Sequence, residues 1–155
     1  MEALPRERLR VVDAGLIRTD PKAELEKRLG QLYDELSRLF DEHKLSVVAV
    51  EELYSHYAHP RTAILMGHAR GVILLAARRK DIPIMNLSAT NIKKAITGSG
   101  HAGKMQIQRA VLSRLGIHTH TDKIPPDVTD ALAIALCGNE HLRSARTPLE
   151  KRNHE

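Results

Sequence analysis

Three carboxylates set the chemistry. Glu51 closes the aliphatic run "LSVVAV" (45–50), and Asp127 and Asp130 stand three residues apart in "PPDVTDALAIAL" (125–136), between a proline pair and an apolar stretch. In open α/β sheets ligands gather outside the carboxyl ends of the strands, so a buried strand that stops at an acid offers a ligating side chain there. If the helix starting near Asp127 docks its first turn at that place, the three acids converge. With no thiolate among them they form a hard-oxygen site that suits Mg2+ or Mn2+. Carboxylate-held metal pairs hydrolyse phosphodiesters by in-line displacement. A plainer reading stands beside this one. Asp is a preferred N-cap, a second acid at the third helical position suits the positive end of the helix dipole, and Glu51 and Glu52 would be solvent-facing residues at a strand end.

A second cluster of interest is basic. In "GSGHAGKM" (98–105), Gly98, four residues, Gly103 and Lys104 match the spacing of a phosphate-binding loop. That motif needs Ser or Thr where Met105 stands, and a buried strand where "TNIKKAI" reads as a helix. A nucleotide triphosphatase is therefore disfavoured. The better reading is a glycine-rich turn whose backbone and Lys104 approach a DNA phosphate, with Lys93, Lys94, His101 and Arg109 completing a basic stripe. An ordinary solvated helix face is the alternative. Tyr54 and Tyr57, two of four aromatic residues, follow Glu51 and could stack on an unpaired base or sit at the edge of the core. His56, His59, His118 and His120 have no Cys partner and no helical partner at i+4, and read as polar loop residues.

The elements that must position these groups follow from composition and periodicity. The 155 residues fit one domain; with 3% aromatics and no Trp, the core must be Leu, Ile, Val and Ala, as in α/β packing. The 24 Lys and Arg against 19 Asp and Glu give +5, consistent with a polyanionic partner. A single cysteine, Cys137, cannot form an intrachain disulfide and suits a reducing cytosol. The charged start "MEALPRERLR" shows no signal peptide and no segment reads as a membrane span, so a soluble, cytoplasmic protein is expected. "LRVVDAGLIR" (9–18) reads as a strand, and Asp20-Pro21 as the cap and first residue of a helix to about Lys44. "LSVVAV" should be a central strand covered on both faces. A helix over 61–80, a strand over 82–88, short and longer helices flanking the glycine-rich loop, and a last helix from Asp127 to about Leu142 follow. Helix 61–80, with Ile64, Leu65, Met66, Ile73 and Leu74, carries more apolar surface than one sheet face needs and is a candidate dimer face.

Taken in order, "LRVVDAGLIRT", "VAVEELY", "GHARGVILLAA", "IKKAITGSGHAGK" and "DVTDALAIAL" resemble successive motifs of the RuvC family of Holliday-junction resolving endonucleases, in the ribonuclease H-like superfamily. The resemblance covers Arg8 to about Gly138. It implies a mixed sheet flanked by helices, a homodimer acting on four-way DNA junctions, and a catalytic site holding two Mg2+ per subunit, with Mn2+ as substitute. The branch-migration complex RuvA-RuvB is a further implied partner. By resemblance, Glu51, Asp127 and Asp130 fall on catalytic, metal-holding acids. Lys93 and Lys104 fall on DNA-contacting or catalytic lysines, and Tyr54 on an aromatic that contacts the junction centre.

The family pattern also holds two earlier strands, the first bearing an Asp-Pro-Gly acid, that have no counterpart in this sequence. The expectation is a ribonuclease H-like domain over 1–142 lacking its first two strands, then a polar, disordered tail over 143–155. Either coding sequence lies upstream of Met1, or this is a truncated, non-catalytic junction-binding paralogue. Asp13 is the only acid on a neighbouring strand that could replace the missing one. With two strands between, it would lie about 14 Å from the Glu51 strand, at about 4.8 Å per spacing.

Overall fold

The structure is a computed structural model that describes residues 9–53, 59–118 and 123–150. Its elements in chain order are α1 (Leu25–Glu42), β1 (Val48–Glu51), α2 (Pro60–Arg79), β2 (Ile84–Leu87), α3 (Ala89–Thr97), α4 (Lys104–Arg114) and α5 (Pro126–Glu150). The fold class is α/β, as expected. Contacts divide the chain into two compact units: Ile17–Ala89, and the described parts of Met1–Leu16 and Thr90–Glu155.

In the first unit, β1 and β2 pair in parallel, with Val48 opposite Ile84 and Glu51 opposite Leu87. The ladder extends at both ends: Val48 N–H donates to the Pro83 carbonyl, and Glu52 N–H to that of Leu87, each at 2.9 Å. A parallel pair needs a long crossover, and α2 supplies it. Ala76 and Ala77 on α2 are fully buried. Helix α1 packs on α2, and the stripe expected from its spacing, Leu25, Leu29, Leu32, Leu36, Leu39 and Phe40, is half-buried. Lys80 Nζ meets Asp41 Oδ1 at 2.5 Å, tying the ends of the two helices, and Arg70 Nη2 donates to Asn86 Oδ1 of β2 at 2.5 Å.

Four expectations change here. Asp20 does not cap α1. Its Oδ1 accepts from Lys22 N–H at 2.9 Å and its carbonyl from Ala23 N–H at 3.1 Å, closing a turn before the helix. Helix α1 starts at Leu25 after Glu24, whose side chain makes no capping bond. An Asx turn satisfies the same side chain locally, and here it wins. The central strand is shorter than "LSVVAV" and only half-buried, because it has a strand partner on one side among the described residues. Residues 9–18 form no strand, since no neighbouring strand among the described residues supplies a ladder. On α2, Ile64, Leu65, Met66 and Leu75 are exposed, whereas Ile73 and Leu74 are half-buried. Leu75, not singled out from sequence, belongs to the open face.

In the second unit, Ile92 and Ile96 of α3, Val111 and Leu112 of α4, and Ala133, Leu136 and Cys137 of α5 form an aliphatic core with Ala102 from the intervening loop. Arg114 Nη1 pairs with Glu140 Oε1, joining α4 to α5. Leu9, Val11, Leu115, Leu132 and Leu136 line a cavity of about 250 Å³ that Arg10, Asp13 and Asn139 also border. Helix α5 continues past Leu142 to Glu150, so residues 143–150, expected in a polar tail, are helical. No glycine or proline interrupts 139–147, so helical hydrogen bonds propagate that far, and Pro148 enters only in the last turn. No helix among the described residues is long and apolar enough to cross a membrane.

Candidate metal and nucleic-acid site

Glu51 is the last residue of β1 and is exposed at its carboxyl end, in the unit Ile17–Ala89. Asp127 and Asp130 belong to the other unit, on α5. The helix opens with Pro126 as its first residue, where a missing N–H costs nothing. The Pro125 carbonyl accepts from Val128 N–H at 3.0 Å and Thr129 N–H at 3.3 Å. Buried Thr129 donates its hydroxyl to the Pro126 carbonyl at 2.7 Å. Neither aspartate is therefore the N-cap. Asp127 sits one residue inside the first turn and Asp130 a turn later. Three residues apart, they share one helix face, and both are exposed.

Lys104 comes to this face. As the first residue of α4, after an extended Gly103, it places Nζ 3.9 Å from Asp130 Oδ2, with both side chains more than half exposed. Spacing gave no sign of this pair, since the partners lie far apart in sequence. The loop leading to Lys104 is built rather than loose. Thr97 Oγ1 lies 2.9 Å from the Lys93 carbonyl and accepts from Ser99 N–H at 3.2 Å. Ser99 Oγ accepts from His101 N–H at 3.3 Å. Gly98 turns with φ +78°, where a side chain would be strained, and donates its N–H to the Lys94 carbonyl at 2.8 Å. Lys94, His101 and Arg109 are exposed and Lys93 is half-buried. Arg109, five residues after Lys104, is turned about 140° around the same helix. Tyr54, with His56, Tyr57 and His120, lies outside the described residues.

Among the described residues, no three His, Cys, Asp or Glu side chains form one group able to hold a metal ion. The donors present do suit Mg2+. It is commonly held by one or two carboxylates together with waters and substrate phosphates, and Asp127 and Asp130 offer two exposed carboxylates on one face.

Residues 3–138 match the family described as Crossover junction endodeoxyribonuclease RuvC. The chain belongs to the RuvC family. A curated relative from Rhodopirellula baltica is 46% identical over 132 residues, covering 85% of this chain and 73% of the relative. One from Gloeobacter violaceus is 40% identical, covering 84% and 73%. Among solved structures, Thermus thermophilus RuvC aligns with a TM-score of 0.82 at 26% identity over 93% of this chain and 85% of that one. T. thermophilus RuvC in complex with a Holliday junction substrate aligns with a TM-score of 0.77 at 25% identity, over 87% and 81%. The ribonuclease H-like expectation is thus met at the level of the whole fold, and the family is one of endodeoxyribonucleases.

Proposed function

We propose that this chain supplies the junction-binding body and three metal-holding acids of an endonuclease of DNA recombination and repair, which resolves four-way junctions by metal-dependent phosphodiester hydrolysis when the family's first-strand acid is also present. Family membership over residues 3–138 carries the reading. Glu51, Asp127 and Asp130 would hold Mg2+, two ions per subunit in the complete site, with Mn2+ able to substitute. A metal held there would activate water as a nucleophile and offset negative charge at the phosphate. The chain's own residues hold the substrate. Lys104, beside Asp130, brings a cation to the phosphate under attack. Lys93, Lys94, His101 and Arg109 carry neighbouring phosphates, and Tyr54 stacks on a base at the junction centre. Phosphate contacts of this kind set register without reading sequence.

A two-fold pairing would set two such sites against two strands. We assign it to the open face of α2, where Ile64, Leu65, Met66 and Leu75 are exposed. Ile64→Glu with Leu75→Glu should convert a sedimenting dimer to a monomer; an unchanged dimer would move the interface elsewhere. RuvA-RuvB remains a proposed partner, and the cytoplasm the proposed location.

Residues 1–155 carry three of the acids the resemblance implies, without the Asp-Pro-Gly carboxylate. That acid would join the other three in holding the metal. Asp13 borders the cavity beside Leu132, Leu136 and Asn139 of α5, further along the helix than Asp130. The polypeptide 1–155 is expected to bind a synthetic four-way junction and leave it uncut in Mg2+ or Mn2+. Joining the family's first two strands upstream should bring cutting at the junction and not on linear duplex. Robust cutting by 1–155, abolished by Glu51→Gln, would overturn this and make Asp13→Asn the next variant to assay.

A further inference from the structure

The two groups of basic residues in the second unit lie on different helices. Lys93 and Lys94 are on α3, and Lys104 opens α4. Two flexible side chains reach two phosphates at once only when their backbones are held at a fixed spacing, because ordering them on binding costs affinity. Something in the six residues between the helices must fix that spacing.

One hydroxyl does most of it. Thr97 Oγ1 lies 2.9 Å from the carbonyl of Lys93 itself, 3.0 Å from the Ser99 carbonyl, and accepts from Ser99 N–H at 3.2 Å. It carries one hydrogen, so it donates to one carbonyl at a time while its lone pair holds the Ser99 amide. From Ser99 the connection passes to His101 N–H through the serine Oγ at 3.3 Å, and to Ala102 N–H through the serine carbonyl at 3.4 Å. Ala102 is buried and Lys104 follows two residues later. The loop is also seated from the side. A Cβ built on Gly100 would stand 2.9 Å from Thr90 Cγ2, so a side chain there would have to push Thr90 aside.

We propose that Thr97 is a positioning residue for DNA, a latch that sets the spacing between Lys93 and Lys104 before the junction arrives. This rests on the reading of the basic loop as a phosphate-binding element. Thr97 itself need touch no phosphate. Its hydroxyl lets the lysines bind as a preorganised pair.

The test compares Thr97→Val, which keeps the shape and removes the hydroxyl, with Thr97→Ser, which keeps the hydroxyl. Binding of residues 1–155 to a synthetic four-way junction is measured without divalent metal from 50 to 300 mM salt, with thermal melting alongside. Each phosphate contact contributes about 0.9 to the slope of log K against log salt. Thr97→Val should lower that slope by about 0.9 and weaken binding about eightfold at 0.1 M salt, and Thr97→Ser should restore both. A lower melting temperature with an unchanged slope would reduce Thr97 to a structural role and overturn the proposal, as would failure of the serine to rescue. Lys93→Gln with Lys104→Gln separates the two readings. If the double variant flattens the slope and Thr97→Val does not, the latch alone is wrong. If neither changes it, the loop does not hold phosphates and both readings fall.

Discussion

Lys104 Nζ lies 3.9 Å from Asp130 Oδ2. A cation suited to a phosphate thus stands beside one of the two carboxylates proposed to hold metal, and the lysine and a bound metal would compete for the same oxygen. An exposed pair of this kind is worth about 0–1 kcal/mol. Removing the lysine should therefore favour a metal at Asp130, by up to about fivefold. Mn2+ binding to Lys104→Gln, followed by electron paramagnetic resonance, should tighten by no more than that factor, while Asp130→Asn should lose the site. Weaker Mn2+ binding by Lys104→Gln would show the lysine to be part of the site's architecture rather than a competitor.

The first turn of α5 makes a contrast within four residues. An N-cap aspartate replaced by alanine costs about 0.5–2 kcal/mol, but α5 starts at Pro126 and Asp127 lies inside its first turn. Asp127→Ala should change the free energy of unfolding by less than about 0.5 kcal/mol. Thr129→Val removes the hydroxyl that bonds the Pro126 carbonyl from a buried position, and should cost about 1 kcal/mol. Urea denaturation of both variants checks the pair. A large loss at Asp127 would restore the capping role.

How far the sequence was legible follows from the same residues. The two strands, the helix between them and a helix after the glycine-rich loop were all readable, because aliphatic runs and helical spacing are local signals. The sequence left the capping reading of Asp127 open, since an aspartate after Pro-Pro suits either the cap or the first turn of a helix. The strand expected over 9–18 failed for a different reason. Alternating apolar residues show that a segment can be a strand, and only a neighbour makes it one. The Lys104–Asp130 pair depends on how α4 packs on α5, which no spacing encodes.

Cys137 gives a pH dependence with a definite sign. Burial, and then the charge of Glu140, push its thiol above the ordinary value of 9.0. A group whose folded pKa is raised stabilises the fold below its unfolded pKa, and that contribution is lost as pH rises through the folded value. The chain should lose stability above about pH 9, and Cys137→Ala, though less stable overall, should lose less over the same range. Thermal melting from pH 7 to 10.5 measures the difference, and parallel curves would remove Cys137 as the cause.

The central claim is that Glu51, Asp127 and Asp130 hold metal together. Crystals of the protein soaked in Mn2+ and measured at the manganese absorption edge test it most directly. The account predicts an anomalous peak with oxygens of Glu51 and of at least one of the two aspartates about 2.0–2.6 Å from its centre, the range for hard divalent cations. Glu51 more than about 10 Å from both aspartates, with any manganese bound elsewhere, would contradict it.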